Sequence, residues 1–493
     1  MISKKRRSMP CFRHANGGVI MKNKKRLVNL LVGPALFLLC YFLLPKSVFA
    51  EAASRGAIGT VAWMAFWWIT APVDLAVTAL LPIGLNALFQ MTDMAPVIAN
   101  YASETILLLL GASIITATWE ETGLDRRIAA KFLALLGSNM RTQVVFWFML
   151  TTILSSILPN AVVCATITPI AVSMLRYVGE TDIAKSKKGS LILLTIAYGA
   201  GLGGLATPLG GAMNLVTVDY LQQLTGQEYM YTSWVVRFLP IVIVLVISNI
   251  LMLLIGVKKS DELGGTKEYF SQQYKAMPKM KMEETLSLLL FVIATVLAFT
   301  RQLYQDLLPG LKPAYAFIIC GILAFLVTKH DGERLIRWRS TEKRIGWELI
   351  YVFAGGLALG TLVNNSGAAE ALGKFVASTN LTGGFGTVLI IVTLTLILSD
   401  VTSNTATAAV AIPIVISIVQ GIGKDPIPYV YIASIGVNLS YMLPTSIRAI
   451  PVGYGLEPKY MLKKGLPITI VVIALMSILG YILLKYWPAF STI

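Results

Sequence analysis

Apolar runs close to twenty residues long recur along the chain, at 27–44, 235–257, 285–300 and 468–484 among others, with short polar stretches between them. Each run is long enough to cross a hydrocarbon core of about 30 Å as a helix. The pattern predicts an all-α polytopic membrane protein with about eleven transmembrane helices plus two re-entrant hairpins in inverted repeats. The spans are expected near 28–45, 57–71, 72–90, 104–120, 189–220, 234–257, 286–301, 313–328, 346–364, 429–458 and 465–486.

Lys and Arg in short loops set orientation. The loops 124–143, 176–188, 258–284, 329–345 and 459–464 are basic; 46–56, 91–103, 221–233, 302–312, 380–387 and 421–428 are not. This alternation predicts a multi-pass protein of the plasma membrane with a cytoplasmic N-terminus and an outside C-terminus. Two apolar stretches do not fit as crossings. Segment 144–175 has basic residues at both ends (Arg141; Arg176 and Lys185) and a break at Pro159-Asn160, so it is expected to enter and leave on the cytoplasmic side. Segment 388–420 breaks at Ser403-Asn404-Thr405 between base-poor flanks and is expected to enter from outside.

The halves repeat. Glu104, Gly111, Gly123, Leu150, Thr151, Leu154, Ser155, Asn160, Ala165 and Pro169 match Glu348, Gly355, Gly367, Leu394, Thr395, Leu398, Ser399, Asn404, Ala409 and Pro413, each pair 244 residues apart. The expected organisation is a basic cytoplasmic tail over 1–27, a first half over 28–233, a span and cytoplasmic linker over 234–285, and a second half over 286–493. Inverted repeats with interrupted helices are the architecture of secondary transporters, with the substrate held near the midplane.

Composition narrows the class. Of 493 residues, 56% are hydrophobic and 13% charged, with mean hydropathy +0.72. Soluble domains carry about 25% charged residues, so a soluble enzyme, a nucleic-acid binder and a disordered scaffold are excluded. The net charge of +16 is concentrated at the start, where nine basic and no acidic residues precede position 27. Beside a transmembrane helix that run reads as a cytoplasmic anchor rather than a nucleic-acid patch. Met21 is an alternative start to Met1, and 21–50 imitates a signal peptide ending at Val48-Phe49-Ala50, but an unbroken series of spans follows. Cys11, Cys40, Cys164 and Cys320 form no framework, and His14 and His330 lie in polar segments, which argues against haem, a histidine-ligated metal or any other cofactor. Gly199-Ala200-Gly201-Leu202-Gly203-Gly204 satisfies a dinucleotide-binding pattern literally, but inside an apolar span with no preceding strand. Trp63, Trp67 and Trp68 read as packing or an aromatic belt. No nucleophile with its base, and no paired membrane carboxylates, supports an enzyme.

Chemistry is expected where helices stop inside the membrane. Such ends present unpaired N–H groups and about half a positive charge, while unwound carbonyls and Ser, Thr or Asn oxygens suit a small hard cation. The two hairpin tips have this character. So do two later breaks, Gly203 to Gly211 with Asn214, and Pro444-Thr445-Ser446 with Arg448. Arg448 either meets an anion, replaces a bound cation, or pairs with Asp400. Asp74, Glu104 and Glu348 read as helix caps or interface residues.

The tip Ser403-Asn404-Thr405-Ala406-Thr407-Ala408-Ala409 resembles the signature of the divalent anion/sodium symporter family of dicarboxylate and sulfate transporters. Residues 67–82 (WWITAPVDLAVTALLP), 121–129 (ETGLDRRIA), 353–360 (FAGGLALG) and 441–444 (YMLP) extend the resemblance over about 28–486. It implies a homodimer, an elevator-like motion, and transport of dicarboxylates, citrate or sulfate, usually with sodium. The chain departs from the family at Pro159-Asn160-Ala161, where both hydroxyls are gone, and at Ile447-Arg448-Ala449-Ile450.

The combined expectation is a secondary active transporter of small divalent anions, C4-dicarboxylates first. Sodium-independent exchange and sulfate or other oxyanion transport are the alternatives. The anion is expected at Asn160, Ser403, Asn404, Thr405, Arg448 and Asn214. The cation, sodium, is expected at Ser155, Asn160, Gly203, Gly204, Thr207, Thr402, Asn404 and Ser446. Expected partners are the anion, membrane lipid and a second copy of the chain.

Overall fold

A computed structural model of the chain describes residues 16–329, 332–377 and 381–493. Cys11, His14, His330 and the first fifteen residues of the basic tail lie outside the described residues. The described chain folds into helices joined by short turns, with two isolated bridges as its only extended pairings. Nine of the described helices are long and apolar enough to cross a membrane, and shorter apolar helices lie at 75–89, 313–326, 385–401 and 427–438.

Both hairpins form. Helix Met140–Ser155 is capped by Asn139, whose side chain accepts from the N–H of Arg141 at 3.0 Å and of Thr142 at 3.4 Å. It stops before Pro159, which supplies no N–H and disfavours helix in the residue before it. Helix Asn160–Tyr177 then returns. The open ends of the two arms meet at one residue of the 258–284 linker. Gln143 Nε2 donates to Thr266 Oγ1 at 3.0 Å, and Thr266 Oγ1 reaches Met174 Sδ at 3.7 Å.

The second hairpin is Phe385–Val401 and Asn404–Gly421, joined at Ser403, whose hydroxyl accepts from the Ala406 N–H at 3.1 Å. Its open end closes where Lys424 packs beside Gly383 and the Tyr429 hydroxyl donates to the Gly383 carbonyl.

Two interrupted helices occupy the centre. The first runs Lys187–Gly203, unwinds through two short turns with extended backbone at Thr207 and Gly211, and resumes as Ala212–Thr225. The second runs Ile427–Asn438, unwinds over 439–445 and resumes from Ser446 to Gly453. Every residue from Gly189 to Gly203 and from Pro428 to Asn438 is buried, as expected of a helix that is apolar all round. The two run antiparallel. Gly455, after the second, lies against Ile183, before the first. At the opposite face the hydroxyl of Tyr431 donates to that of Tyr229 at 3.2 Å.

Each hairpin is fastened to its interrupted helix by the same bond: Ser155 Oγ donates to the Ala200 carbonyl and Ser399 Oγ to the Val437 carbonyl, both at 2.6 Å. Gly203 allows the first of these contacts, since a Cβ there would collide with the Thr152 backbone. Gly203→Ala is therefore expected to cost about 1–3 kcal/mol through overpacking, read as a lower Tm of the purified protein. An unchanged Tm would show that the hairpin relaxes away from the helix.

The expected span 72–90 is not a single helix. It forms Leu75–Thr78 and Leu81–Phe89. Pro82, at the start of the second piece, removes an N–H the first would need to continue. Fifteen residues of helix from 75 to 89 reach about 22 Å, short of a full crossing. Around the centre, Glu104–Thr122 packs on Met282–Phe299 and Pro313–Leu326, and Asn16–Leu43 packs on Ala52–Thr70. Large apolar side chains such as Leu31, Phe42, Ile247, Leu326 and Ile470 stay exposed on the outside, where lipid rather than water is their solvent. Within the ETGLDRRIA stretch, Arg127 is a clamp: Nε meets Glu284 Oε2 at 2.5 Å and Nη1 donates to the Pro278 carbonyl at 2.8 Å.

Candidate functional site

Both tips and both breaks face one cavity of about 380 Å3. Asn160 and Ala161 line it from the first tip, and Ser403, Asn404 and Thr405 from the second. Ala212 and Met213 line it from the first break, and Ser446 and Ile447 from the second. Helices 160–177, 212–225 and 404–421 therefore all begin on its wall, with their N-termini towards it. Three helix N-termini around one small space make a positive potential without any mobile side chain.

Asn404 is held from three sides. Its Oδ1 accepts from Ser399 Oγ at 3.1 Å and Ser440 Oγ at 3.4 Å, and its Nδ2 donates to the Asn438 carbonyl at 3.3 Å. Ser446 carries a positive φ of 51°, a conformation that is costly for a residue with a side chain and that collects at ligand sites.

Several other expected residues brace the site from outside the cavity. Asn214 Nδ2 donates to the carbonyls of Gly204 at 2.6 Å and Thr207 at 2.8 Å, while its Oδ1 accepts from Asn438 Nδ2 at 2.8 Å. Its polar atoms are thus committed to holding the first break open and tying it to the second half. Ser155 is spent on Ala200, and Thr207 Oγ1 donates to the Ser156 carbonyl at 2.6 Å. Thr402 and Thr407 share a hydroxyl bond of 2.6 Å.

Arg448 is also off the cavity wall. It is 1% exposed, with Nε donating to the Leu443 carbonyl at 3.1 Å and Nη2 to Thr445 Oγ1 at 2.9 Å. Asp400 works on the same loop, its Oδ1 accepting from the N–H of Tyr441 and Met442, each at 2.8 Å, while Thr445 Oγ1 donates to its carbonyl at 2.8 Å. Asp400 Oδ2 has no hydrogen-bond partner, and Arg448 forms no ion pair with it. Of the three roles open to Arg448, a direct pair with Asp400 does not form; instead the two opposite charges grip one unwound segment.

Sequence reasoning did not single out Asn438, Arg344 or Glu120, and it read Glu348 as a helix cap or interface residue. Asn438 bridges Asn214 and Asn404, and its signal was a lone amide in an apolar span. Glu120, Glu348 and Arg344 line the cavity, Arg344 as the only cation among its lining residues. Glu104 instead pairs with Lys312 at 2.8 Å, away from the cavity. A second cavity of about 590 Å3 lies towards the linker face, among Asp125, Arg126, Thr166, Ser173 and Gln273. Glu120 and Arg344 are the residues the two cavities share.

A helical membrane protein with two hairpin tips and two helix breaks facing a common cavity belongs to the class of membrane transporters. The chain is a member of the citrate transporter family, whose model matches residues 65–436. It is 27% identical to the sodium-dependent dicarboxylate transporter SdcS of Staphylococcus saprophyticus, over 94% of this chain and 92% of that relative. It is 29% identical to the SdcS of Staphylococcus aureus strain NCTC 8325, over 87% and 85%. Among solved structures it resembles the Alcanivorax borkumensis YdaH transporter, with a TM-score of 0.51, 13% identity, and coverage of 82% of this chain and 90% of that one. At that identity the likeness speaks to the fold alone.

Proposed function

We propose that the protein is a secondary active transporter that carries small divalent anions, C4-dicarboxylates first, together with sodium. The observation that carries this reading is the convergence of three helix N-termini and the amide and hydroxyl groups of Asn160, Ser403, Asn404 and Thr405 on one cavity. Its volume lies within the range of small-molecule sites. The helix ends and amides favour carboxylate oxygens at fixed positions. The names of the staphylococcal relatives, sodium-dependent dicarboxylate transporters, favour the same substrate and coupling ion.

Sodium fits the first half better than the second. Around the first break the donors are neutral oxygens: Asn160 and the carbonyls of Gly203, Gly204 and Thr207. At the second break a buried guanidinium lies within two residues of Ser446, and its positive charge repels a cation. The two halves act as inverted repeats, a reading supported by the matching Ser155–Ala200 and Ser399–Val437 bonds and by antiparallel interrupted helices. The hairpins and interrupted helices move against the surrounding helices in an elevator-like step. The protein works as a homodimer in the plasma membrane, with its N-terminus and the 258–284 linker in the cytoplasm and its C-terminus outside.

The test is uptake of labelled succinate into proteoliposomes, with counterflow and sodium gradient varied independently. The expected result is saturable counterflow and accumulation driven by inward sodium. Counterflow indifferent to sodium would overturn the coupling and favour exchange, with Arg448 as the fixed cation. An absence of succinate counterflow together with sulfate counterflow would overturn the substrate class.

A further inference from the structure

We propose that Arg344 is a carboxylate receptor shared by the site cavity and the second cavity, kept in store by Glu120 and Glu121 and handed to the incoming anion. The inference rests on the reading that the hairpin tips hold a divalent anion. It adds a residue on the opposite wall that selects for the second carboxylate.

The geometry is asymmetric. Arg344 Nη1 is anchored: it donates to Glu121 Oε2 at 2.7 Å and to the Ala117 carbonyl at 3.4 Å, near the end of helix 104–122. Nε lies 3.7 Å from Glu120 Oε2, an attraction but not a hydrogen bond. Neither Nε nor Nη2 donates to a described residue. A guanidinium binds carboxylate best through two parallel N–H groups on one edge. That edge is open here, on a residue lining both cavities.

The energetics favour exchange over permanence. The Arg344 side chain is 31% exposed and Glu120 39%, so the pair between them is worth at most about 1 kcal/mol. An arriving carboxylate that displaces Glu120 and takes both free N–H groups makes a charge-assisted bond in place of a loose one. The rest of the cavity wall offers no competing cation, while Glu120 and Glu348 repel an anion until Arg344 offsets them. A monocarboxylate satisfied by the hairpin tips gains nothing from Arg344, whereas a dicarboxylate reaches both walls. Glu121 keeps the guanidinium at its post after the substrate has left.

The experiment compares Arg344→Gln, Arg344→Lys and Glu120→Gln in the full-length purified protein, by succinate binding calorimetry and by uptake with a monocarboxylate competitor. Arg344→Gln is expected to weaken succinate binding about tenfold, the worth of one charge-assisted hydrogen bond, with little change for the monocarboxylate. Arg344→Lys is expected to recover only part of the loss. Glu120→Gln is expected to tighten succinate, because it removes both the repulsion and the competitor. A purely structural ion pair predicts the opposite pattern: either partner's loss weakens binding or stability in the same direction. That result, or unchanged succinate affinity in Arg344→Gln, overturns the proposal. Should Arg344→Gln fail to fold, the sign of the Glu120→Gln effect decides alone. Asn404→Ala run in parallel separates the two levels. If it binds succinate as the parent does, the site itself is wrong; if it loses binding while Arg344→Gln keeps it, only the role of Arg344 is.

Discussion

Replacing Asn404 by Ala should abolish succinate uptake while the protein still folds and inserts. The side chain is the one member of the second tip bonded to both the hairpin, through Ser399, and the second interrupted helix, through the Asn438 carbonyl. Its loss removes an amide from the cavity wall and unties the tip from its brace. Removing hydrogen bonds worth about 1–3 kcal/mol each lowers uptake at least about tenfold. The nearly isosteric Asn404→Asp should be as inactive, because it sets a carboxylate against an anionic substrate. Uptake measured in proteoliposomes at matched protein levels checks both. Parental rates in Asn404→Ala would remove the second tip from the site.

The second large effect is expected on stability. Arg448→Met strands Asp400 as a buried charge with one oxygen already unpartnered, and Asp400→Asn strands Arg448 in the same way. The two make no direct ion pair, but each is a buried charge offset by the other across the loop they share; leaving one uncompensated costs up to about 3–5 kcal/mol, whereas replacing both is often close to neutral. The double variant should therefore melt well above either single one, followed by intrinsic fluorescence of the detergent-solubilised protein. Singles whose losses simply add would mean that the charges act independently. Because Arg448 also holds the Leu443 carbonyl and Thr445, the double variant should still show altered sodium dependence if the unwound segment loses its shape.

Most of the helical frame was legible because membrane-length apolar runs and their breakers are local signals. Pro159-Asn160 and Ser403-Asn404-Thr405 end helices for reasons written in one or two residues. The folding back of the arms is visible in the meeting of Gln143, Thr266 and Met174 for the first hairpin and of Gly383, Lys424 and Tyr429 for the second. The span 72–90 was misread because its apolar count is right while Pro82 and the stop at Thr78 divide it. On the cavity wall, the tip residues were legible and the opposite side was not. Arg344 and Glu120 lie 224 positions apart, one in a basic loop and one near a helix end. Only tertiary packing brings them together on the cavity. The direction of a long side chain was equally hidden: Arg448 belongs to the second break by sequence, yet its guanidinium turns back into the protein.

The attachment of the first hairpin also sets a mechanical limit. Its two open ends are pinned to Thr266, and Phe270 packs edge-on against Trp147 of the same hairpin, so helix Thr266–Ala276 travels wherever the hairpin goes. A few residues later, Glu284 is fastened to Arg127 beside helix 104–122. Between these anchors the chain is a leash. Even if the exposed bond from Arg127 to the Pro278 carbonyl lets go, the five residues 277–281 span no more than about 18 Å when fully drawn out. Under the proposed elevator-like step, the stroke of the hairpin relative to its surroundings is bounded by a tether on one face, and the length of that tether is a property of sequence open to lengthening or shortening one residue at a time.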